Sequence, residues 1–336
     1  MRLQKTGSKT TVELIRRMLC PVKDSYFQIW GGAGAGCNGT AWGERVRGSY
    51  STTCFLWHHC DYDTLRTLAS EAAPTRRLRF FTQLREPVSR AMSEYRHVVG
   101  RSENPWKPDP EYLPVLAYPN GTKFDAGSAE DFLAFARHPA NAPGMRSRQT
   151  RMLADRSGCP RPPPMTTANV ATAFMTSTAV EMVAASYEDY EECLLASALG
   201  ILETMPILLL ERFAESLFVL SRAMGTVPPL EFRRYSEGLE LEAPPLQLTD
   251  AQRAAAAADN AADVRLYVRA QRLVDDRWAA AFGASRRLSR RCHYACAVSL
   301  ADEAAITARP GAPRPTATCK IPPSCLEQFF PTKVAG

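Results

Sequence analysis

The sequence predicts an α/β fold: a parallel sheet of the P-loop type flanked by helices. Three observations predict it. Apolar stretches of helical period alternate with at least three short apolar or β-branched runs. A loop of Gly, Lys and Thr, Gln4-Lys5-Thr6-Gly7-Ser8-Lys9-Thr10-Thr11, leads directly into an amphipathic helix. Later, an apolar run ends on an arginine and turns into a proline-opened helix, Leu84-Arg85-Glu86-Pro87.

Length and composition bound the rest. The 336 residues suit one large α/β domain or two smaller ones, and a hydrophobic share of 45% is enough for a sizeable core. The expected organisation is a single domain over 1–282 and a Pro/Arg/Cys-containing tail over 283–336, poorly ordered or pinned by disulfides. A net charge of +6, from 41 basic and 35 acidic residues, favours an acidic ligand or polyanionic partner. Simple solubility charge accounts for the same number. Ten cysteines, scattered and without CxxC pairs, read as disulfides rather than zinc ligands. Two sequons, Asn38-Gly39-Thr40 and Asn120-Gly121-Thr122, also suit a secretory lumen. The sequence has no apolar run of membrane-spanning length and no signal peptide. Only three residues precede the Gln4 loop, too few for the strand that should feed it. A truncated first strand is therefore expected, with any membrane anchor upstream.

The first loop is the first candidate site. Lys5, Thr6, Gly7, Ser8, Lys9, Thr10 and Thr11 open a helix over 12–20 whose apolar residues fall at Leu14, Ile15 and Met18. Free N–H groups at such a helix start, the helix dipole and the two lysines make a phosphate or phosphosulfate cradle. It is not a Walker A loop, because Ser8 stands where that pattern needs glycine before Lys9-Thr10. Residues 31–53 read as a long loop. The stretch Cys54-Phe55-Leu56-Trp57-His58-His59-Cys60-Asp61-Tyr62 reads as a strand delivering polar groups to a cleft. Adjacent histidines on a strand point to opposite faces, so one of the pair reaches the site. A surface pair or a metal site are the other readings.

Leu78–Leu84 is the clearest strand. It runs into Arg85 and a helix through Val98, on which Arg85, Ser89, Ser93, Arg96 and His97 are spaced so that several share a face. The guanidinium fork makes this a second anion site. Residues 101–127 are a loop excursion in which Trp106 stacks on a sugar or plugs the core. Ser128–Asp131 starts a helix to about His138 with capping-box-like spacing. Residues 145–155 read as a basic helix, 180–186 as a short strand with a helix to Leu199, and 207–224 as an amphipathic helix. Residues 226–248 read as irregular, and Thr249-Asp250 caps one long Ala-rich helix to Phe282.

With these motifs in hand, the sequence resembles the heparan sulfate 6-O-sulfotransferases. That family carries Q-K-T-G-G-T-T, L-R-D-P-V-S-R-x-x-S-E-W-R-H-V and R-Q-x-R-M-L-A-D. This chain has Gln4-Lys5-Thr6-Gly7, then Leu84-Arg85-Glu86-Pro87-Val88-Ser89-Arg90 with Ser93-Glu94-Tyr95-Arg96-His97-Val98, then Arg148-Gln149-Thr150-Arg151-Met152-Leu153-Ala154-Asp155, in the same order. The resemblance runs from the start to about residue 280.

It implies a carbohydrate sulfotransferase using 3′-phosphoadenylyl sulfate (PAPS) as co-substrate, in a single sulfotransferase domain. The loop from Lys5 to Thr11 would hold the 5′-phosphosulfate, and Arg85 and Ser93 the 3′-phosphate. The family's L-H-A-D-W histidine falls on His59, which becomes the general base, with Lys5 as the second catalytic residue. His97 and Trp106 match acceptor-sugar contacts. The implied partner is a sulfated or uronic-acid-containing polysaccharide, with no nucleic acid. The implied place is the Golgi lumen, as a single-pass type II membrane protein whose anchor is absent here.

The chemistry suits these residue types. A histidine of near-neutral pKa can take the proton of a sugar hydroxyl as the O–S bond forms. Lys5 and loop N–H groups can hold the charge on the departing phosphate. This scheme calls for no metal. The chain departs from the family at Ser8-Lys9 for Gly-Thr, Glu86 for Asp and Tyr95 for Trp. The family's basic pair and sugar-contacting Trp have only Trp42 and Arg45 nearby, and its N-S-T-R segment has no counterpart near Arg233-Arg234-Tyr235-Ser236. Two other functions stay open on residues alone: a P-loop nucleotide-dependent kinase or NTPase, and a non-enzymatic polyanion-binding protein.

Overall fold

The computed structural model describes residues 11, 14–15, 18, 26–28, 55–57, 61–72, 80–99, 117–118, 120–138, 141, 145–160, 177–234, 246–283, 292, 294–298 and 317–330. The first helix, α1, is described at Thr11, Leu14, Ile15 and Met18. There follow β1 (Tyr26–Gln28), β2 (Phe55–Trp57), α2 (Tyr62–Ala72), β3 (Thr82–Leu84) and α3 (Pro87–Val99). Next come α4 (Ala129–Arg137), α5 (Arg148–Leu153), α6 (Ser177–Thr204), β4 (Ile207–Leu209) and α7 (Phe213–Met224). The rest are β5 (Glu231–Arg234), α8 (Asp250–Ala258), α9 (Ala261–Phe282), β6 (Ala295–Val298), β7 (Ala317–Lys320) and α10 (Pro323–Phe329).

The architecture is mixed α/β with parallel strand pairs. β1 and β2 pair in parallel, Tyr26 opposite Phe55. β3 and β4 pair in parallel, Thr82 opposite Ile207 and Leu84 opposite Leu209. Parallel neighbours need long crossovers, and here α3 to α6 lie between β3 and β4 in sequence. Among the described residues the expected sheet is thus present as two separate parallel pairs. A three-stranded antiparallel sheet of order β5-β7-β6 was not anticipated. β1 and β5 were missed because three or four residues carry too little periodicity to stand out from a loop.

The β3–β4 pair sits between two apolar clusters. On one face Leu84, Ile207 and Leu209 pack with Leu153, Leu194, Leu202, Leu266 and Val274 of α5, α6 and α9. On the other, Leu208 packs with Leu14 and Ile15 of α1, Phe81, and Leu217 and Leu220 of α7. A third cluster joins α3 to α4 and α8, with Tyr95 edge-on to Phe132 and Phe135 at centroid separations of 5.5 and 5.2 Å. These layers fix β3, and so the residues at its end.

Several expected elements take a different form. The strand expected at 180–186 lies inside the continuous helix α6. A short apolar run cannot be told from buried helix by periodicity, and the surrounding Ala, Glu, Met and Leu favour helix. The helix expected over 207–224 is a strand and then a helix. Ile207, Leu208 and Leu209 are all buried, as the middle of a parallel pair requires, and α7 begins only at Phe213. Of the strand expected over 78–84, the described residues form strand at Thr82–Leu84, and the basic helix over 145–155 shortens to Arg148–Leu153. Thr249 does cap, with a full capping box to Gln252, but the long helix it opens is two helices. They break at Asp259-Asn260, where buried Asn260 turns its amide onto Ala256 O at 2.9 Å and Ser147 N at 3.2 Å. Ser128 accepts from Asp131 N as expected. The reciprocal half is absent, because the Asp131 carboxylate accepts from Asp125 N and Tyr118 Oη instead.

In the described part of the expected tail, a disulfide and aromatic packing are present. Cys292–Cys325 ties α10 back, and Phe329 and Phe330 pack on Phe218 and Phe282. A second disulfide, Cys159–Cys193, links the end of the α5 segment to α6, and Cys319 is also disulfide-bonded. No described helix is long and apolar enough to cross a membrane.

Candidate functional site

Arg85 is the first residue past β3, and its position follows from the strand it leaves. Leu84 O accepts from Leu210 N at 2.9 Å, so β3 and β4 end level with one another. The main chain of Arg85 is then gripped from α5. Its N–H donates to Gln149 Oε1, and its carbonyl accepts from Gln149 Nε2, each at 2.9 Å. The amide side chain thereby replaces a missing strand partner with two bonds of backbone type.

Gln149 is itself held. Its N–H and that of Thr150 donate to the two oxygens of Asp263, at 3.1 and 2.7 Å, and Thr150 Oγ1 donates to the same carboxylate at 2.8 Å. Asp263 is fully buried in the first turn of α9, and the first N–H groups of α5 supply its charge compensation. At the start of α5, Ser147 takes a left-handed conformation, φ 45°, rare for a non-glycine residue. Its N–H donates to Asn260 Oδ1. Thus α9 fixes α5, and α5 fixes Arg85.

Glu86 stands at the N-cap of α3. Its carboxylate accepts from Val88 N at 3.0 Å and Ser89 N at 2.7 Å. Here a glutamate performs the capping usually done by shorter residues. The consequence is chemical: these two helix-start N–H groups are already engaged, so an anion at this turn must rely on side chains. Glu86 N donates to Glu211 Oε1, and Tyr267 Oη donates to Glu211 Oε2. Arg85 is half-buried, and burial lowers its pKa from the usual value, opposed by the nearby Glu211 and Glu86 carboxylates. A partly desolvated guanidinium binds an incoming phosphate more strongly than an exposed one.

Ser93 and His97 lie further along α3, one turn apart, and both are half-buried. The opposite side of the helix, Val88, Ala91, Tyr95 and Val99, is the core side. Tyr95 is fully buried and donates to Asp125 O. Thr11, expected as the last residue of the first loop, is helical and fully buried. Lys5, Thr6, Gly7, Ser8, Lys9 and Thr10, the pair His58 and His59, and Trp106 lie outside the described residues.

The third motif also reaches the residues just after the histidine pair. Arg156 N donates to Asp63 Oδ2 at 2.6 Å, its guanidinium lies 3.7 Å from Asp61, and Arg66 pairs with Asp155 at 2.9 Å. Burial raises the Asp63 carboxyl above its usual range, whereas bonds from Ser157 lower that of Asp155. Arg151, between the two ends of the motif, is pushed down to about 10 by burial and by Arg148, with Glu191 opposing. One segment, 149–156, therefore contacts Arg85 at one end and the start of α2 at the other.

The sequence predicts a basic helix over 145–155 and gives Gln149 no role of its own. Its place within Arg148-Gln149-Thr150-Arg151 was the available signal. Asp263, Glu211 and Tyr267 had none, since each acts through an element distant in sequence. Compared with known proteins, the chain matches no family model and no curated protein.

Proposed function

We propose that this chain is a PAPS-dependent carbohydrate sulfotransferase of the heparan-sulfate-6-O type, built on a P-loop-type sheet and acting on a polysaccharide in the Golgi lumen. The observation that carries the reading is the bridge made by 149–156. Of three stretches matched to one family in sequence order, the second and third touch at Arg85 and Gln149, and beside this Asp155 pairs with Arg66 and the adjacent Arg156 with Asp61, both after the histidine pair. Such contact is what motifs serving one site require, and unrelated matches have no reason to meet.

In this reading Arg85 and Ser93 bind the 3′-phosphate of the donor, and the loop from Lys5 to Thr11 binds the phosphosulfate. His59 accepts the acceptor hydroxyl's proton. The hydroxyl oxygen forms the new bond to sulfur while the bond from sulfur to the donor phosphate breaks, and its electron pair leaves on the phosphate oxygen. Lys5 stabilises that charge. His97 and Trp106 hold the sugar. The disulfides of the α5–α6 region and of the tail fit an oxidising lumen.

The test is incubation of the full chain with ³⁵S-labelled PAPS and a panel of glycans, followed by linkage analysis, with and without magnesium. Magnesium-independent transfer to a sugar hydroxyl is expected. Binding of neither PAPS nor adenosine 3′,5′-bisphosphate would leave polyanion binding as the better account, and magnesium-dependent ATP turnover would favour a kinase.

A further inference from the structure

Gln83 is fully buried, yet among the described residues neither its carboxamide oxygen nor its nitrogen has a hydrogen-bond partner. It sits in the middle of β3, opposite Leu208 of β4. Paired residues of parallel strands share a face, and Leu208 belongs to the cluster of Leu14, Ile15, Phe81, Leu217 and Leu220. Gln83 is thus a polar group on the face of β3 that packs against Leu14 and Ile15 of α1. It is also two residues before Arg85, which places the two Cα atoms roughly 6–7 Å apart along the chain. An unsatisfied buried amide costs stability, and folding alone gives no reason to keep one here.

We infer that the Gln83 carboxamide is a ligand-binding group that reads the ribose hydroxyl next to the 3′-phosphate of the bound nucleotide. This rests on the donor-site reading above. A phosphate offers only acceptors and would satisfy the Gln83 nitrogen alone. A hydroxyl both donates and accepts, so it can serve either half of the amide. The ribose 2′-hydroxyl is the hydroxyl adjacent to a phosphate held at Arg85, two residues along the chain from Gln83.

The experiment uses the full disulfide-bonded chain and calorimetric titration with adenosine 3′,5′-bisphosphate and its 2′-deoxy analogue. Wild-type protein is expected to bind the deoxy compound about tenfold more weakly. Gln83→Leu is expected to bind the ribo compound about tenfold more weakly and to lose the distinction between the two. Its Tm should stay level or rise by about 2–4 °C, since an unpaired buried amide has been removed. Gln83→Met supplies a second variant if leucine packs badly. Equal binding by wild type and both variants overturns the inference, as does a fall in Tm in both variants, which would make the amide structural. A variant loss without discrimination by the wild type overturns the assignment to the ribose. Arg85→Ala separates the two proposals: wild-type affinity there removes the donor site itself, whereas a loss there beside unchanged Gln83 variants removes only the role of Gln83.

Discussion

Gln149 pairs with the backbone of Arg85 through two hydrogen bonds of 2.9 Å, so a residue on α5 sets where the chain turns from β3 into α3. Replacing it with leucine removes the partner of a main-chain N–H and of a carbonyl at once. Gln149→Leu should cost about 2–3 kcal/mol, read from the urea midpoint at constant m-value. Donor affinity should fall while acceptor KM changes little. Equal loss of both would assign Gln149 a general packing role.

The same logic extends one residue further out. Asp263 accepts three hydrogen bonds from Gln149 and Thr150 with no exposure to solvent. Asp263→Asn keeps the volume but turns an acceptor into a donor facing other donors. A loss of about 1–3 kcal/mol is expected, and with it weaker donor binding, because the mutation acts through Gln149 on Arg85. Unchanged stability would show that the buried carboxylate is dispensable.

Under the proposed function, His59→Ala should abolish sulfate transfer and spare binding of adenosine 3′,5′-bisphosphate, since a base would act on the acceptor hydroxyl and not on the donor's phosphates. His58→Ala should keep most of the turnover. Near-normal activity in His59→Ala would move the base to His58 or His97.

The Cys159–Cys193 disulfide spans 34 residues and closes the chain between the α5 motif and α6. Replacing both cysteines with serine should cost about 3–4 kcal/mol by the loop-entropy relation. A matching fall in chemical stability checks this, and dithiothreitol should lower wild-type stability by at least as much, since it also opens Cys292–Cys325.

Asn120 sits in an exposed turn in which Gly121 has φ 82° and Asn120 Oδ1 accepts from Thr122 N. In the proposed lumen this sequon is accessible. Expression in a eukaryotic secretory host should give a product whose mass falls on peptide N-glycosidase treatment, and Asn120→Gln should remove one glycan. Identical masses for wild type and variant after secretion would count against modification at this site.

Local chemistry was legible in the sequence wherever one short stretch carried the whole signal. The strand ending on Arg85 and the helix opened by Pro87 needed only neighbouring residues to be read, as did the caps at Ser128 and Thr249. The 180–186 strand and the 207–224 helix were misread because a short apolar run takes whichever conformation its burial demands, and burial is decided by elements far away.

What the sequence by itself determined is the set of motifs, their order and the residue types that suit an anion and a proton. What only the tertiary structure decided is how those motifs are held. Gln149 reaches Arg85 across 64 residues and Asp263 reaches Thr150 across 113, and no local pattern encodes a partner at such distance. The physical reason is that a buried polar group must find its complement somewhere in the fold. Chain order says which groups are available, and packing alone says which of them meet.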